Sequence, residues 1–232
     1  MVPVITLLKN DMLGVGMYTP VEAAAFIGTR PGQITRWIHG NRQGDPAVKA
    51  QFVGHKEVFT FLDLVQAMAV KAMRKEGYSL QFIRGAAEWT SRHFPDIKYP
   101  FAYNHKTYLI KATKEIAVVP PGREDLIQVS GRNEGQYVHQ GMLDKYLELL
   151  DFSDHGLAIR YKPLQRGERC IVLDPEVRCG QPRVEPCGRL VETLVCAANS
   201  EGSVAAAASV YGVKKEDVEI ALDYYRALGW AA

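Results

Sequence analysis

The chain has 232 residues, of which 47% are apolar and 23% charged, with a formal net charge of +2. That length suits one large domain or two small ones around a real core, and the composition excludes a disordered or fibrous chain. Its apolar runs are too short and interrupted to cross a bilayer, and "MVPVITLLKNDML" lacks a basic leader and a cleavage site. The expectation is therefore a cytoplasmic protein with no membrane partner.

Charge is unevenly spread. Residues 1–94 carry 11 Lys and Arg against 7 Asp and Glu, whereas residues 171–232 carry 6 against 9. A basic front accommodates an anionic partner, and an acidic rear does not. The pattern divides into an N-terminal arm over 1–15, a first domain over 16–95, a small α/β connecting region over 96–170 and a C-terminal domain over 171–232.

The stretch "YTPVEAAAFIGTRPGQITRWIHG", residues 18–40, carries two helix signals. Thr19 caps a helix that begins at Pro20, and Glu22 sits in its first turn, where a carboxylate suits the helix dipole. Ala23, Ala24 and Ile27 make a narrow apolar stripe that lets a second helix approach closely. Gly28 ends this helix, and Thr29 with Pro31 begins the next. There Ile34, Trp37 and Ile38 stand at i, i+3 and i+4 and form one face to bury. Gln33, Thr35, Arg36 and His39 fall on the other face, flanked by Arg30 and Arg42. The spacing predicts a helix–turn–helix whose outer side chains can reach phosphates and base edges. Two ordinary core helices would give the same local pattern.

"QFVGHKEVFT", residues 51–60, reads as a small hairpin with Gly54, His55 and Lys56 at its tip, placed as a wing against a phosphate backbone. Phe61, Leu64, Val65, Met68 and Ala72 then predict a long amphipathic helix. Gly77 breaks it, and Ser79 caps another helix through Ile83, Ala86, Ala87 and Trp89.

The order of these elements resembles the winged-helix headpiece of the MerR class. The likeness covers residues 16–90 and is most specific in "RKEGYSLQFIR", Arg74 to Arg84. It implies that Arg30, Gln33, Thr35, Arg36, His39, Arg42 and the wing residues His55 and Lys56 face DNA. MerR regulators continue into a long coiled-coil dimer helix. Here "HFPDIKYPF", with prolines at 95 and 100, ends the helical pattern instead.

In the middle, "KTYLIKA", "EIAVV" and "DLIQVS" predict a small sheet, with "PPG" at 120–122 as a turn and "SGRNEGQ" as a polar loop. A helix over 141–150 and a strand over 156–164 follow. On that strand Arg160, Tyr161 and Lys162 read as solvated positions of a half-buried strand. His105, His139 and His155 lie apart, and neither H-E-x-x-H, a P-loop nor a dinucleotide fingerprint occurs. No catalytic residue, metal site or cofactor is expected, so the chain reads as a non-enzyme. Cys170, Cys179, Cys187 and Cys196, spaced by eight, seven and eight residues, fit no zinc pattern and read as small, mostly buried hydrophobes.

Residues 171–195 predict a short strand, an Asp-Pro turn, a Gly-Gln-Pro turn and the start of a helix. Two more helices follow around a break at Gly212. This trihelical unit resembles a small bacterial antitoxin domain. The matching positions are Asp174, Pro175, Val177, Gly180, Gln181, Pro182, Val184, Val191, Glu192 and Leu194, then Asp217, Val218, Ala221, Leu222 and Tyr224 or Tyr225. Pro186, Cys187, Gly188 and Leu190 depart from the pattern. The acidic balance argues against this second helix–turn–helix-like unit reading DNA.

Together the two ends resemble antitoxins of the VapB type. The fold class so implied is mainly α with a small β-rich centre. The function implied is that of an antitoxin neutralising a cognate PIN-domain ribonuclease toxin and repressing its own operon. The implied partners are operator DNA, that toxin and a second copy of the chain as a homodimer. The alternative is an effector-responsive MerR-like transcriptional regulator with a ligand in the middle segment. An enzyme carrying a regulatory headpiece is a third reading, without a motif to support it.

Overall fold

Side-chain caps start three of the four helices of the N-terminal half, at Thr19, Thr60 and Ser79. The Thr19 hydroxyl accepts from the Glu22 N–H at 3.2 Å, and the Glu22 carboxylate accepts from the Thr19 N–H at 2.8 Å. This reciprocal box launches α1, Pro20–Phe26. A computed structural model describes residues 15–41, 44–104, 107–110, 115–118, 127–128 and 146–230 of the chain. The N-terminal arm up to residue 14, the turn at 120–122, the loop at 130–136 and residues 141–145 of the expected helix lie outside the described residues, as do His105 and His139.

The described residues contain seven α-helices, a five-stranded antiparallel sheet and a three-stranded one, so the fold is mainly helical with small sheets. After α1 come α2, Pro31–His39, α3, Phe61–Lys75, and α4, Leu80–His93. The strands β1, Thr107–Ile110, β2, Glu115–Val118, and β3, Ile127–Gln128, pair antiparallel in that order. A single 3₁₀ turn at Leu147–Leu149 leads into β4, Leu150–Phe152, so the expected α-helix over 141–150 is not continued through its described end.

Next come β5, Ala158–Arg166, β6, Arg169–Leu173, β7, Arg183–Glu185, and β8, Arg189–Leu190, with spatial order following sequence order from β4 to β8. The helices α5, Val191–Ser200, α6, Val204–Tyr211, and α7, Lys215–Ala227, end the chain. The chain divides into two compact units. Among the described residues the first lies within Tyr18–Ile159, and the second takes residues 160–230 together with 15–17.

In the first unit, Ala23, Ala24 and Phe26 of α1 and Ile34, Trp37 and Ile38 of α2 are buried, and the two helices pack on each other. Gly28 joins them at φ +65°, where a side chain would be strained and a Cβ would stand 3.2 Å from Lys71 Nζ. Most of α3 is interior, including Leu64, Val65, Ala67, Met68, Val70 and Met73. Asp63 is fully buried near its start. Its carboxylate accepts the Thr60 N–H and the Gln51 N–H, each at 3.0 Å. The Thr60 hydroxyl accepts in turn from the Asp63 N–H at 3.1 Å. Burial pushes the Asp63 pKa up, and the Thr60 and Gln51 amides resist that shift.

The expected hairpin over 51–60 does not form: residues 51–58 are turns and bends. Two of the residues that would build its ladder, Gln51 and Phe59, are bonded elsewhere. Phe59 exchanges both its hydrogen bonds with Tyr18, at 2.8 and 2.9 Å, and the Gln51 N–H is held by Asp63. A bridge from Tyr18 to Phe59 thus ties the entry of α1 to the entry of α3.

In the second unit the β6–β7 register sets Ile171 opposite Val184, both fully buried, beside Val172 and Leu173. Buried residues Leu194 and Val195 of α5, Ala207 of α6 and Val218, Ile220 and Ala221 of α7 complete the core. Asp217 caps α7 by accepting from the Lys214 N–H at 3.0 Å and holds Arg169 Nε at 2.6 Å. Asp174, at the Asp-Pro turn, accepts from Arg160 Nε at 2.9 Å and from the Glu176 N–H at 3.0 Å.

Removing the Asp63 carboxylate leaves two amides without their acceptor. Asp63→Ala is expected to cost about 2–3 kcal/mol of unfolding free energy. Urea titration of the two proteins checks it, and a loss below about 0.5 kcal/mol, the scale of an ordinary surface substitution, would contradict this role.

Candidate nucleic-acid interface

The side chains of α2 divide by helical spacing. Ile34, Trp37 and Ile38 face inward, while Arg30 at the N-cap, Gln33 and Arg36 are exposed. These three line an open groove of about 720 Å³ with Gly28, Thr29, Trp37, Lys71, Arg74, Lys75 and Leu80. Five of the lining residues are cations, and no Asp or Glu lines the groove among the described residues. The far wall is the C-terminal end of α3. Lys71 Nζ donates to the Ile27 carbonyl at 2.6 Å, and Arg74 Nη1 donates to the Tyr78 carbonyl at 2.6 Å. Burial and then the neighbouring Lys75 charge lower the Lys71 pKa. On the near wall the N-cap side chain Arg30 makes no capping bond. The Thr29 hydroxyl is 3.1 Å from Gln33 Oε1, which holds that amide beside the groove.

Two residues expected on the outer face of α2 are engaged elsewhere. Thr35 is half-buried, and its hydroxyl donates back to the Pro31 carbonyl at 2.9 Å, inside its own helix. His39 is half-buried, with its ring edge-to-face on Phe59 at 4.9 Å between centroids. Its Nε2 is buried with no hydrogen-bond partner among the described residues. The end of α2 is covered by the chain entering α3, so the polar stripe stops at Arg36. Arg42 lies outside the described residues. His55 and Lys56 are exposed, but they sit in turns, with His55 Nδ1 3.5 Å from Glu57 Oε1. That carboxylate offsets part of the positive charge expected of a wing.

Lys71, Arg74 and Lys75 were legible only as spacing. They stand at i, i+3 and i+4 near the end of a helix, where cations commonly complement the dipole. Nothing local links them to residues 28–36.

Elsewhere, two expectations are corrected. Tyr161 is buried, and burial pushes its pKa up to about 12, so it is not a solvated strand position, while Arg160 keeps 42% of its side chain exposed and pairs with Asp174 at 2.9 Å. The four cysteines are free and none is buried: Cys179 and Cys196 are exposed, and Cys170 and Cys187 are half-exposed. Cys170 lies in β6, Cys179 in a short 3₁₀ turn, Cys187 in the turn between β7 and β8, and Cys196 at an exposed position of α5. Among the described residues, no three His, Cys, Asp or Glu side chains come together as a metal site, and no helix is long and apolar enough to cross a membrane.

No family model matches the chain. Its sequence is 25% identical over 227 residues to a Mycobacterium tuberculosis (strain ATCC 25618 / H37Rv) protein named "Putative antitoxin VapB45", covering 90% of this chain and 93% of that one. Its fold is similar to the crystal structure of Rv2018 from Mycobacterium tuberculosis. The TM-score there is 0.60 at 21% identity, over 91% of this chain and 99% of the other. The sequence is therefore similar to a VapB-type antitoxin along nearly its whole length, and the solved relative shares the fold.

His39 supplies a test of the α2 seat. Burial lowers its pKa below 6.5, against the opposing pull of the Asp63 and Glu57 carboxylates and with the help of Lys56. A lowered folded pKa means that the unfolded chain takes up the proton first. The stability that neutral His39 contributes is then full above 6.5 and is lost as pH falls through its folded value. Unfolding free energy is expected to fall on acidification from about pH 7 to about pH 5, and His39→Gln to flatten that dependence. An identical slope in the two proteins would contradict the buried, neutral His39.

Proposed function

We propose that this protein is the antitoxin of a type II toxin–antitoxin pair, a regulatory binding protein rather than an enzyme. In this reading α1 and α2 form a DNA-reading helix pair that docks on the operator of its own operon, and the protein represses that operon. A separate surface neutralises a cognate toxin, taken as a PIN-domain ribonuclease. Similarity to a named antitoxin along 90% of the chain supports the class.

The observation that carries the DNA-binding part is the division of α2. Its apolar seam of Ile34, Trp37 and Ile38 is buried, and that burial turns Arg30, Gln33 and Arg36 outward beside a groove without carboxylates. Arginine and glutamine are donors suited to phosphates and to purine edges in a major groove. Of the eight residues expected to face DNA, Arg30, Gln33 and Arg36 stand as the leading contacts. His55 and Lys56 serve as secondary phosphate contacts from a turn, and Arg42 stays a proposal from sequence. Thr35 and His39 hold the helix rather than read DNA. A homodimer would place two α2 helices about one turn of DNA apart, about 34 Å, on a palindromic operator.

Arg36→Ala is expected to weaken binding to the duplex upstream of its own reading frame by about 10- to 100-fold, as for loss of a base or paired-phosphate contact. Gel retardation at fixed salt measures this. Co-expression with the neighbouring reading frame tests the other half: the wild-type chain should restore growth arrested by that product. Unchanged retardation by Arg36→Ala would overturn the assigned face, and failure to restore growth would overturn the antitoxin role.

A further inference from the structure

The groove beside α2 has two walls, and only one belongs to the helix pair. The other is the last turns of α3, where Lys71, Arg74 and Lys75 fall on one face. We propose that this α3 face, with Lys75 foremost, is a second grip on duplex DNA that holds the sugar-phosphate backbone alongside α2. The inference rests on the DNA-binding reading above and adds to it a site on a separate helix, well beyond α2 in the sequence.

Three features support it. First, the charge is one-signed: the groove gathers Arg30, Arg36, Lys71, Arg74 and Lys75 with no acidic side chain lining it among the described residues. Like charges brought together at a surface repel each other, and an opposing polyanion relieves that cost. Second, the groove is open and largely polar, a shape that admits a continuous backbone strand more readily than it encloses a small molecule.

Third, the cations have different local duties. Lys71 and Arg74 already donate to the Ile27 and Tyr78 carbonyls, which fixes their chains against the turn after α1 and the turn after α3. Lys75 is exposed at the end of the same helix. The two anchored cations therefore set a positive field with little entropy left to lose, and Lys75 closes on the phosphate. This contact is blind to sequence, because it meets the backbone and not the bases. It fixes where α2 sits in the groove of the duplex, and it supplies affinity that falls with salt.

The experiment compares wild type, Lys75→Gln, Lys98→Gln and Arg36→Ala. Lys98 is an exposed lysine outside this groove, so its variant carries the same change in net charge. Two probes of equal length are used, the duplex upstream of the reading frame and a scrambled duplex, each titrated from about 50 to about 200 mM salt. Lys75→Gln is expected to weaken binding to both probes by a similar factor, about three- to tenfold, and to reduce the slope of log affinity against log salt by about 1. Lys98→Gln is expected to leave the slope at the wild-type value.

A Lys75→Gln slope equal to wild type, with Arg36→Ala still impaired, would overturn the second grip and leave the helix-pair reading standing. An equal loss in Lys98→Gln would also overturn it, since net charge alone would then explain the effect. A wild-type chain that binds neither duplex would overturn both.

Discussion

The burial of Ile34, Trp37 and Ile38 is the constraint on which the rest of the N-terminal unit depends. Each such side chain contributes about 1.5–3 kcal/mol when removed from water, far more than any contact made by the exposed cations of α2 to their own chain. That energy decides how the helix is rolled. Once the apolar seam lies inward and α2 packs on α1 and α3, Arg30, Gln33 and Arg36 have only the outside left. The same packing brings the beginning of α2 beside the end of α3, and thereby gathers five cations that the sequence keeps apart.

Around that seam, polar groups fix the ends of helices. Asp63 is the deepest of them, tying the start of α3 to Gln51 and Thr60. Phe59, one residue earlier than Thr60, is bonded to Tyr18 and lies under His39. The stretch from Gln51 to Phe59 is therefore held at both ends with Val53 71% exposed between them, while Ala47, Val48 and Ala50 before it are buried. Gly40, at φ +70°, turns the chain off α2 where a Cβ would come within 2.9 Å of the Gly44 carbonyl oxygen. The C-terminal unit uses the same strategy with other residues: Asp217 begins α7 and pairs with Arg169, and Asp174 gathers Arg160 and Arg183.

Periodicity and turn signals were enough to read α1 to α7, but not the expected helix over 141–150, whose described end is a 3₁₀ turn and a strand. Thr19, Thr60 and Ser79 each accept from the N3 amide, as their positions before apolar runs imply, and the Gly212 break separates α6 from α7. What sequence reasoning missed depends on partners distant in the chain. The pattern of "QFVGHKEVFT" suits a hairpin, but Tyr18 and Asp63 take the hydrogen bonds that a hairpin would need. His39 looks like a reading residue on a helical wheel until Phe59 covers it. Thr35 keeps its helical position but spends its hydroxyl on Pro31. The α3 wall of the groove had a regular cationic spacing and no visible counterpart, because its neighbours come from residues 28–36.

The central claim is that one duplex meets both the N-terminal part of α2 and the C-terminal end of α3. Hydrogen–deuterium exchange of the whole protein, with and without the duplex from upstream of its reading frame, tests it most directly. The account predicts slowed exchange in peptides spanning residues 28–39 and 70–80 together, with those of α5 to α7 unchanged. Protection confined to α5 to α7, or absent from both N-terminal peptides while the duplex is bound, would contradict it.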